Sequence, residues 1–118
     1  MEHILVVDDD PDIQELVQDY FGSYYMITLA SDGVEALETF KQHAKDHPFH
    51  LVLTDVLMPN LDGIELANKL REDCPQLPII ALSGAENLDA EAIKVFNELF
   101  PKPFDFNEVY KEICGILS

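Results

Sequence analysis

Several residues able to do chemistry share one setting in this chain: each follows a short apolar run. His3-Ile4-Leu5-Val6-Val7 ends in Asp8-Asp9-Asp10, Leu51-Val52-Leu53-Thr54 ends at Asp55, and Ile79-Ile80-Ala81-Leu82 ends at Ser83-Gly84. The last run is only Leu99-Phe100, and Lys102 follows it between Pro101 and Pro103. Carboxylates drawn together repel and raise one another's pKa unless a cation joins them. A hard divalent ion with oxygen ligands, above all Mg²⁺, resolves that conflict. A hydroxyl and a lysine beside such an ion supply the donor and the positive partner that a phosphoryl group needs. The chemistry implied is phosphoryl transfer onto a carboxylate.

The elements that must bring these residues together are legible as an alternation. Continuous apolar runs suit strands buried on both faces, the habit of parallel sheets covered by helices. Met26-Ile27-Thr28-Leu29-Ala30 adds a further run. Between the runs, Ile13, Leu16, Val17 and Tyr20 make a helical stripe with Asp12, Glu15 and Asp19 on its wet side. Asp10 before Pro11 predicts an N-cap with proline at the first helical position, and Gly22 a stop. The pairs Asp32/Glu35, Asp62/Glu65 and Asp105/Glu108 have capping-box spacing and announce helices through 37–40, 66–70 and 109–113. A weaker helix is expected over 89–96, before the short fifth strand. The fold class is therefore α/β: a doubly wound, five-stranded parallel sheet, (βα)5, with helices on both faces. In such sheets function sits at the carboxyl ends of the strands, where Asp8, Asp9, Asp55, Ser83 and Lys102 fall.

Composition narrows the function classes. At 118 residues the chain is expected to be one domain, 1–118. Seven Lys and Arg against 23 Asp and Glu give a net charge of −16, and ten acids precede the first basic residue, Lys41. That balance argues against nucleic acid and anionic membrane as partners. The sequence lacks the ~20 apolar residues of a membrane span, and Met1-Glu2-His3 does not begin a signal peptide. A cytoplasmic protein is expected. Cys74 and Cys114 are expected as buried free thiols in a reducing compartment, although spacing alone does not exclude one bridge. His43, His47 and Cys74 lack a fourth zinc ligand. Asp8, Asp10 and Asp12 begin like a calcium loop, but Ile13 stands where glycine is needed.

The blocks Ile4-Leu5-Val6-Val7-Asp8-Asp9-Asp10, Leu53-Thr54-Asp55-Val56-Leu57-Met58-Pro59 with Asp62-Gly63, Ala81-Leu82-Ser83-Gly84 and Lys102-Pro103-Phe104 stand in order across nearly the whole chain. In these blocks the chain resembles the receiver domains of two-component response regulators, of the kind exemplified by the chemotaxis response regulator. The resemblance implies flavodoxin-like strand order 2-1-3-4-5. It implies that Asp55 accepts a phosphoryl group from a histidine kinase or histidine phosphotransfer protein. Asp9, Asp55 and the backbone carbonyl of Leu57 would ligate Mg²⁺ (or Mn²⁺), with Asp8 acting through water. Ser83 would donate to the phosphoryl oxygens and Lys102 would pair with them, while Asp10 caps a helix. Self-catalysed phosphorylation and slow hydrolysis would be its only reactions, with no external substrate turned over. Signalling would run through a downstream protein target, from a monomer or a weak phosphorylation-dependent dimer. The chain would act alone through protein contacts, or as one receiver of a larger regulator.

The resemblance carries three further expectations and one departure. Lys102-Pro103 is expected to be cis. Leu57 and Ala85 would flank the attacking water or serve only in packing, and Gly84 would leave the site open to the donor. Leu99 departs from the pattern, which commonly places Tyr or Phe three residues before the lysine; a one-residue bulge would present Phe100 instead. Three rival functions are weighed. A Mg²⁺-dependent aspartyl-phosphate phosphatase needs a second acid where Leu57 stands. A flavodoxin-like electron carrier needs a phosphate-cradling loop where Asp8-Asp9-Asp10 would repel it. A degenerate receiver that only binds is at odds with the intact acids, serine and lysine.

Overall fold

The fold, taken from a computed structural model that describes residues 1–84 and 88–118, follows the expected alternation. Strands β1 (His3–Val7), β2 (Met26–Ala30), β3 (Leu51–Asp55), β4 (Ile79–Ser83) and β5 (Glu98–Pro101) are all parallel. They lie in the order β2-β1-β3-β4-β5. Helices α1 (Pro11–Phe21), α2 (Gly33–His43), α3 (Gly63–Asp73) and α4 (Phe106–Leu117) cover the two faces. No described helix is long and apolar enough to cross a membrane.

The apolar runs produce this architecture because a strand sends alternate side chains to opposite faces. From β1, Ile4 and Val6 join Leu51, Leu53, Ile80 and Leu82 beneath Val17 and Phe21 of α1 and Val109 and Ile113 of α4. Leu5 and Val7 go the other way, with Val52, Ile79 and Ala81, beneath Ala36 of α2 and Leu66 and Leu70 of α3. Every residue of β1, β3 and β4 is buried, while β2 and β5 are partly exposed edges.

Caps set the helix starts. Asp10, Asp32 and Asp62 each accept a backbone N–H of the following turn, from Asp12, Glu35 and Glu65 respectively. Asp105 instead takes the amide of Asn107, one residue short of the expected Glu108. Gly22 ends α1 with an ordinary right-handed backbone, φ −63°. Cys74 and Cys114 are both free and only half-buried; Cys74 packs on the α2–α3 side, and Cys114 Sγ lies 3.4 Å from the Tyr25 hydroxyl.

The element expected over 89–96 is different: it is a single 3₁₀ turn, Ala92–Val95. Leu88, Ile93, Val95 and Phe96 pack toward the α2–α3 side, and their spacing is not a 3.6-residue stripe. Phe96 reaches that core only by turning extended, φ −90° and ψ 144°, which stops the helix. Arg71 of α3 holds the segment in place of helix packing. Its guanidinium donates to the carbonyls of Val95 (2.9 Å), Pro75 (3.0 Å) and Leu77 (2.9 Å) and to Asn97 Oδ1 (2.8 Å). Asn97 Oδ1 also accepts the N–H of Ile79, tying β4 to the same knot.

β5 keeps a regular register, Ala81 opposite Leu99 and Leu82 opposite Phe100. The bulge that would have presented Phe100 is absent; Phe100 packs on the α1–α4 side and Leu99 on the α2–α3 side. Arg71→Met is expected to lower the urea-unfolding free energy by about 2 kcal/mol, because it leaves several carbonyls without their charged donor. Amide exchange at Ile79 and Phe96 should accelerate more than at the centre of β1.

Candidate functional site

The alternation that builds the two cores also aims the chemistry. Counting on from Ile4 and Val6 in steps of two reaches Asp8; from Leu51 and Leu53 it reaches Asp55; from Phe100 it reaches Lys102. All three therefore converge at the carboxyl edge of the α1–α4 face. Ser83 continues the series of Ile79 and Ala81 and comes from the other face, buried at the end of β4.

Asp8 is 2% exposed and extends the sheet by one residue, its N–H donating to the Ala30 carbonyl at 3.1 Å. Its Oδ1 accepts the Asp10 amide at 2.9 Å, and its Oδ2 accepts Lys102 Nζ at 2.8 Å. The same ammonium reaches Asp55 Oδ2 at 3.2 Å. Asp55 is 8% exposed and Asp9 is open to solvent. One carboxylate oxygen from each of Asp8, Asp9 and Asp55 lies within 4.8 Å of the other two. Among the described residues no other group of His, Cys, Asp or Glu converges in this way, so His43, His47 and Cys74 form no zinc set.

Lys102 is fixed from both sides. Pro101 has no N–H to give the ladder, and the next amide, that of Lys102, donates to the Ser83 carbonyl at 2.8 Å. The Lys102-Pro103 bond is cis, as the resemblance implied. Among the described residues, a Cβ at Gly84 would meet Lys102 Cβ at an ordinary 3.8 Å. Leu57 projects its side chain into solvent, 60% exposed, from the loop after β3. Ala85 lies outside the described residues.

Two supports have roles that the sequence did not assign. Gln14 follows Ile13 in the first turns of α1, and its Nε2 donates to the Asp8 carbonyl at 2.7 Å and to Ser31 Oγ at 3.2 Å. Gly63 lets α3 start against the acid strand, since a Cβ there would lie 2.2 Å from the Asp55 carbonyl oxygen. Beside Lys102, an open apolar cleft of about 420 Å³ is lined by Ile13, Leu16, Pro103, Phe104 and Phe106. Asp12, Glu15 and Asp19 flank Leu16 along α1.

Three carboxylates face one ammonium, and the titration directions record the imbalance. Burial pushes Asp55 above the ordinary carboxylate range, the charge of Asp8 adds to this, and attraction to Lys102 only partly opposes it. Burial alone would lower Lys102, but its hydrogen bond to Asp8 and the charges of Asp55 and Asp8 outweigh that and hold it above its usual value. The folded chain therefore keeps the Asp55 proton more tightly than the unfolded chain does. Stability is full below the ordinary carboxylate pKa and is lost as pH rises through the raised folded value. Asp55→Asn should raise the melting temperature near pH 7 by about 3 °C. The gain should shrink as pH falls and vanish by about pH 4, as thermal unfolding across that range would show.

Comparison with known proteins agrees with the geometry. Residues 4–114 match the response regulator receiver domain. The chain is 39% identical over 122 residues to response regulator MprA of Mycobacterium leprae (strain TN), covering 97% of this chain and 50% of MprA. It thus spans about half the length of the curated relatives it matches. Among solved structures it is similar to response regulator TrrA of Thermotoga maritima in complex with Mg²⁺-BeF, with TM-score 0.87, 30% identity and coverage of 98% of this chain and 99% of that one. It is equally similar to a chain in the complex of histidine kinase ThkA with TrrA, with TM-score 0.86, 32% identity and full coverage of both. With the strand order, the convergent acids and the match over 4–114 all in place, this chain belongs to the response regulator receiver domain family.

Proposed function

We propose that the chain, as a single receiver domain over 1–118, is a phosphoacceptor that takes a phosphoryl group from a donor histidine onto Asp55. The observation that carries this reading is the charge imbalance: Asp55 shares one ammonium with Asp8, and Asp9 adds a third carboxylate within reach. Three hard oxygen donors in that arrangement suit Mg²⁺, and Mn²⁺ takes the same donors. Asp9, Asp55 and the Leu57 carbonyl would hold the ion, with Asp8 contributing through water. When bound, the ion supplies charge neutralisation at the phosphoryl oxygens.

The chain's own residues account for the rest. An Asp55 carboxylate oxygen attacks phosphorus in line; the P–O bond forms as the P–N bond to the donor imidazole breaks, and the imidazole leaves with the electron pair. Lys102 already lies beside the attacking carboxylate and would follow the new charge onto the phosphoryl oxygens. The Ser83 hydroxyl would donate to another of them from the opposite face. Water later attacks phosphorus, its new P–O bond forming as the bond to the Asp55 oxygen breaks, which releases inorganic phosphate and regenerates Asp55. Because Leu57 offers no acid to protonate a leaving alcohol, turnover of phosphate esters is not part of the reading.

The donor is a histidine kinase or phosphotransfer protein. The likeness to a chain from the ThkA–TrrA complex supports the first, and the Mg²⁺-BeF complex of TrrA supports the ion. A donor helix carrying aliphatic and basic side chains fits the cleft between Leu16 and Phe104, with Asp12, Glu15 and Asp19 at its rim. A downstream protein target, a cytoplasmic location, and a monomer or weak phosphorylation-dependent dimer complete the proposal.

Incubation with acetyl phosphate and Mg²⁺ should add the mass of one phosphoryl group to the wild type, and nothing to Asp55→Asn; an unmodified wild type would overturn the reading. Leu16→Ala should slow transfer from a cognate phosphohistidine protein about tenfold and leave the acetyl phosphate rate unchanged. Equal slowing with both donors would place Leu16 in folding rather than docking.

A further inference from the structure

The loop between β3 and α3, residues 56–62, carries Leu57, and its shape is held from outside the acid site. At its base the Gly63 N–H donates to the Val56 carbonyl at 2.7 Å. At its far end the Leu61 N–H donates to the Pro59 carbonyl at 2.8 Å, closing a three-residue turn around Asn60. Asn60 has φ 70°, the left-handed region, and among the described non-glycine residues it alone does so. A γ-turn with positive φ at its centre is rare and strained. Such a conformation persists where its surroundings over-determine it.

The surroundings here are the start of α2. Asn60 Nδ2 donates to Asp32 Oδ2 at 3.2 Å. The other oxygen of Asp32 caps α2 by accepting the Glu35 amide at 2.8 Å, so the carboxylate is itself fixed. Next to it, Gly33 presses on the loop: a Cβ there would stand 2.4 Å from the Leu61 carbonyl oxygen. Asparagine tolerates the left-handed backbone and offers an amide to its neighbour.

We propose that Asn60 is a positioning residue of the acid site, tying the loop that carries Leu57 to Asp32 at the start of α2. This rests on the phosphoacceptor reading, in which the Leu57 carbonyl meets the ion. The latch acts through backbone placement and touches neither ion nor phosphoryl group. A purely structural bond would stabilise the loop and leave cation affinity alone.

Asn60→Gly keeps the positive φ while removing the side chain, and Asp32→Ser keeps a helix cap while losing the reach to Asn60. In each variant the Mg²⁺ concentration for half-maximal acetyl phosphate labelling should rise about three- to tenfold, with the rate at saturating Mg²⁺ unchanged. In metal-free protein the Leu61 amide should exchange faster than in the wild type. The double variant should lose no more Mg²⁺ affinity than either single one, because both break the same bond. Wild-type Mg²⁺ dependence in Asn60→Gly, unchanged Leu61 exchange, or losses that multiply in the double variant would overturn the latch while the phosphoacceptor reading stands. A wild type that takes up neither Mg²⁺ nor phosphoryl would overturn both.

Discussion

The structure depends on one ammonium divided between two buried carboxylates. Asp8 has the larger share, with Lys102 Nζ at 2.8 Å on one oxygen and the Asp10 amide on the other. Asp55 has the longer contact, 3.2 Å, and burial still lifts its pKa. A carboxylate fully paired in this setting would be inert, as a buried ion pair in a core is. One left partly uncompensated keeps its lone pairs available and its negative charge in want of a partner. The protein thus neutralises only part of the cluster and leaves the remainder to what binds there.

That imbalance is sustainable only at the rim of the sheet. From Ile4 to Val7 every side chain of β1 enters one of two apolar cores, and an acid at any of those positions would be stranded without water or cation. One residue beyond, the ladder still holds Asp8 through the Ala30 carbonyl, but the side chain has left the core. Rigid backbone and available charge meet at that single step. The same alternation places Asp55 and Lys102 on the Asp8 side and brings Ser83 from the other, so the sheet's parity fixes the site before any loop is considered.

This is why the strands and the acids were legible in the sequence, and it also marks where legibility stopped. Apolar runs, caps at Asp10, Asp32 and Asp62, and polar residues at the run ends are local signals that the tertiary structure obeys. The segment over 89–96 has no periodic stripe, and its form is decided at a distance by Arg71, which appeared in the sequence only as a basic residue in α3's last turn. Gln14 was hidden for a related reason. Its place on α1 gives no sign that its amide would bridge Asp8 and Ser31. Asn60 passed unnoticed in the sequence because the partner that makes it consequential lies 28 residues away.

Leu99 limits how a change at Asp55 can travel. It faces Ala81 in a regular ladder, among apolar residues, and has no polar atom that could follow a charge. Phe100 is committed to the opposite core, so no ring stands at that position to take its place. Among the described residues, one polar connection runs from the site through Gln14 into α1, and another through the Lys102 backbone into the segment carrying Pro103 and Phe104. A phosphoryl group on Asp55 would compete with Asp8 for the one ammonium, and the flexible Lys102 stem can follow it while the backbone stays held between two prolines. Lys102, Pro103 and Phe104 also line the apolar cleft beside α1, so the acid site and that cleft share one segment of chain.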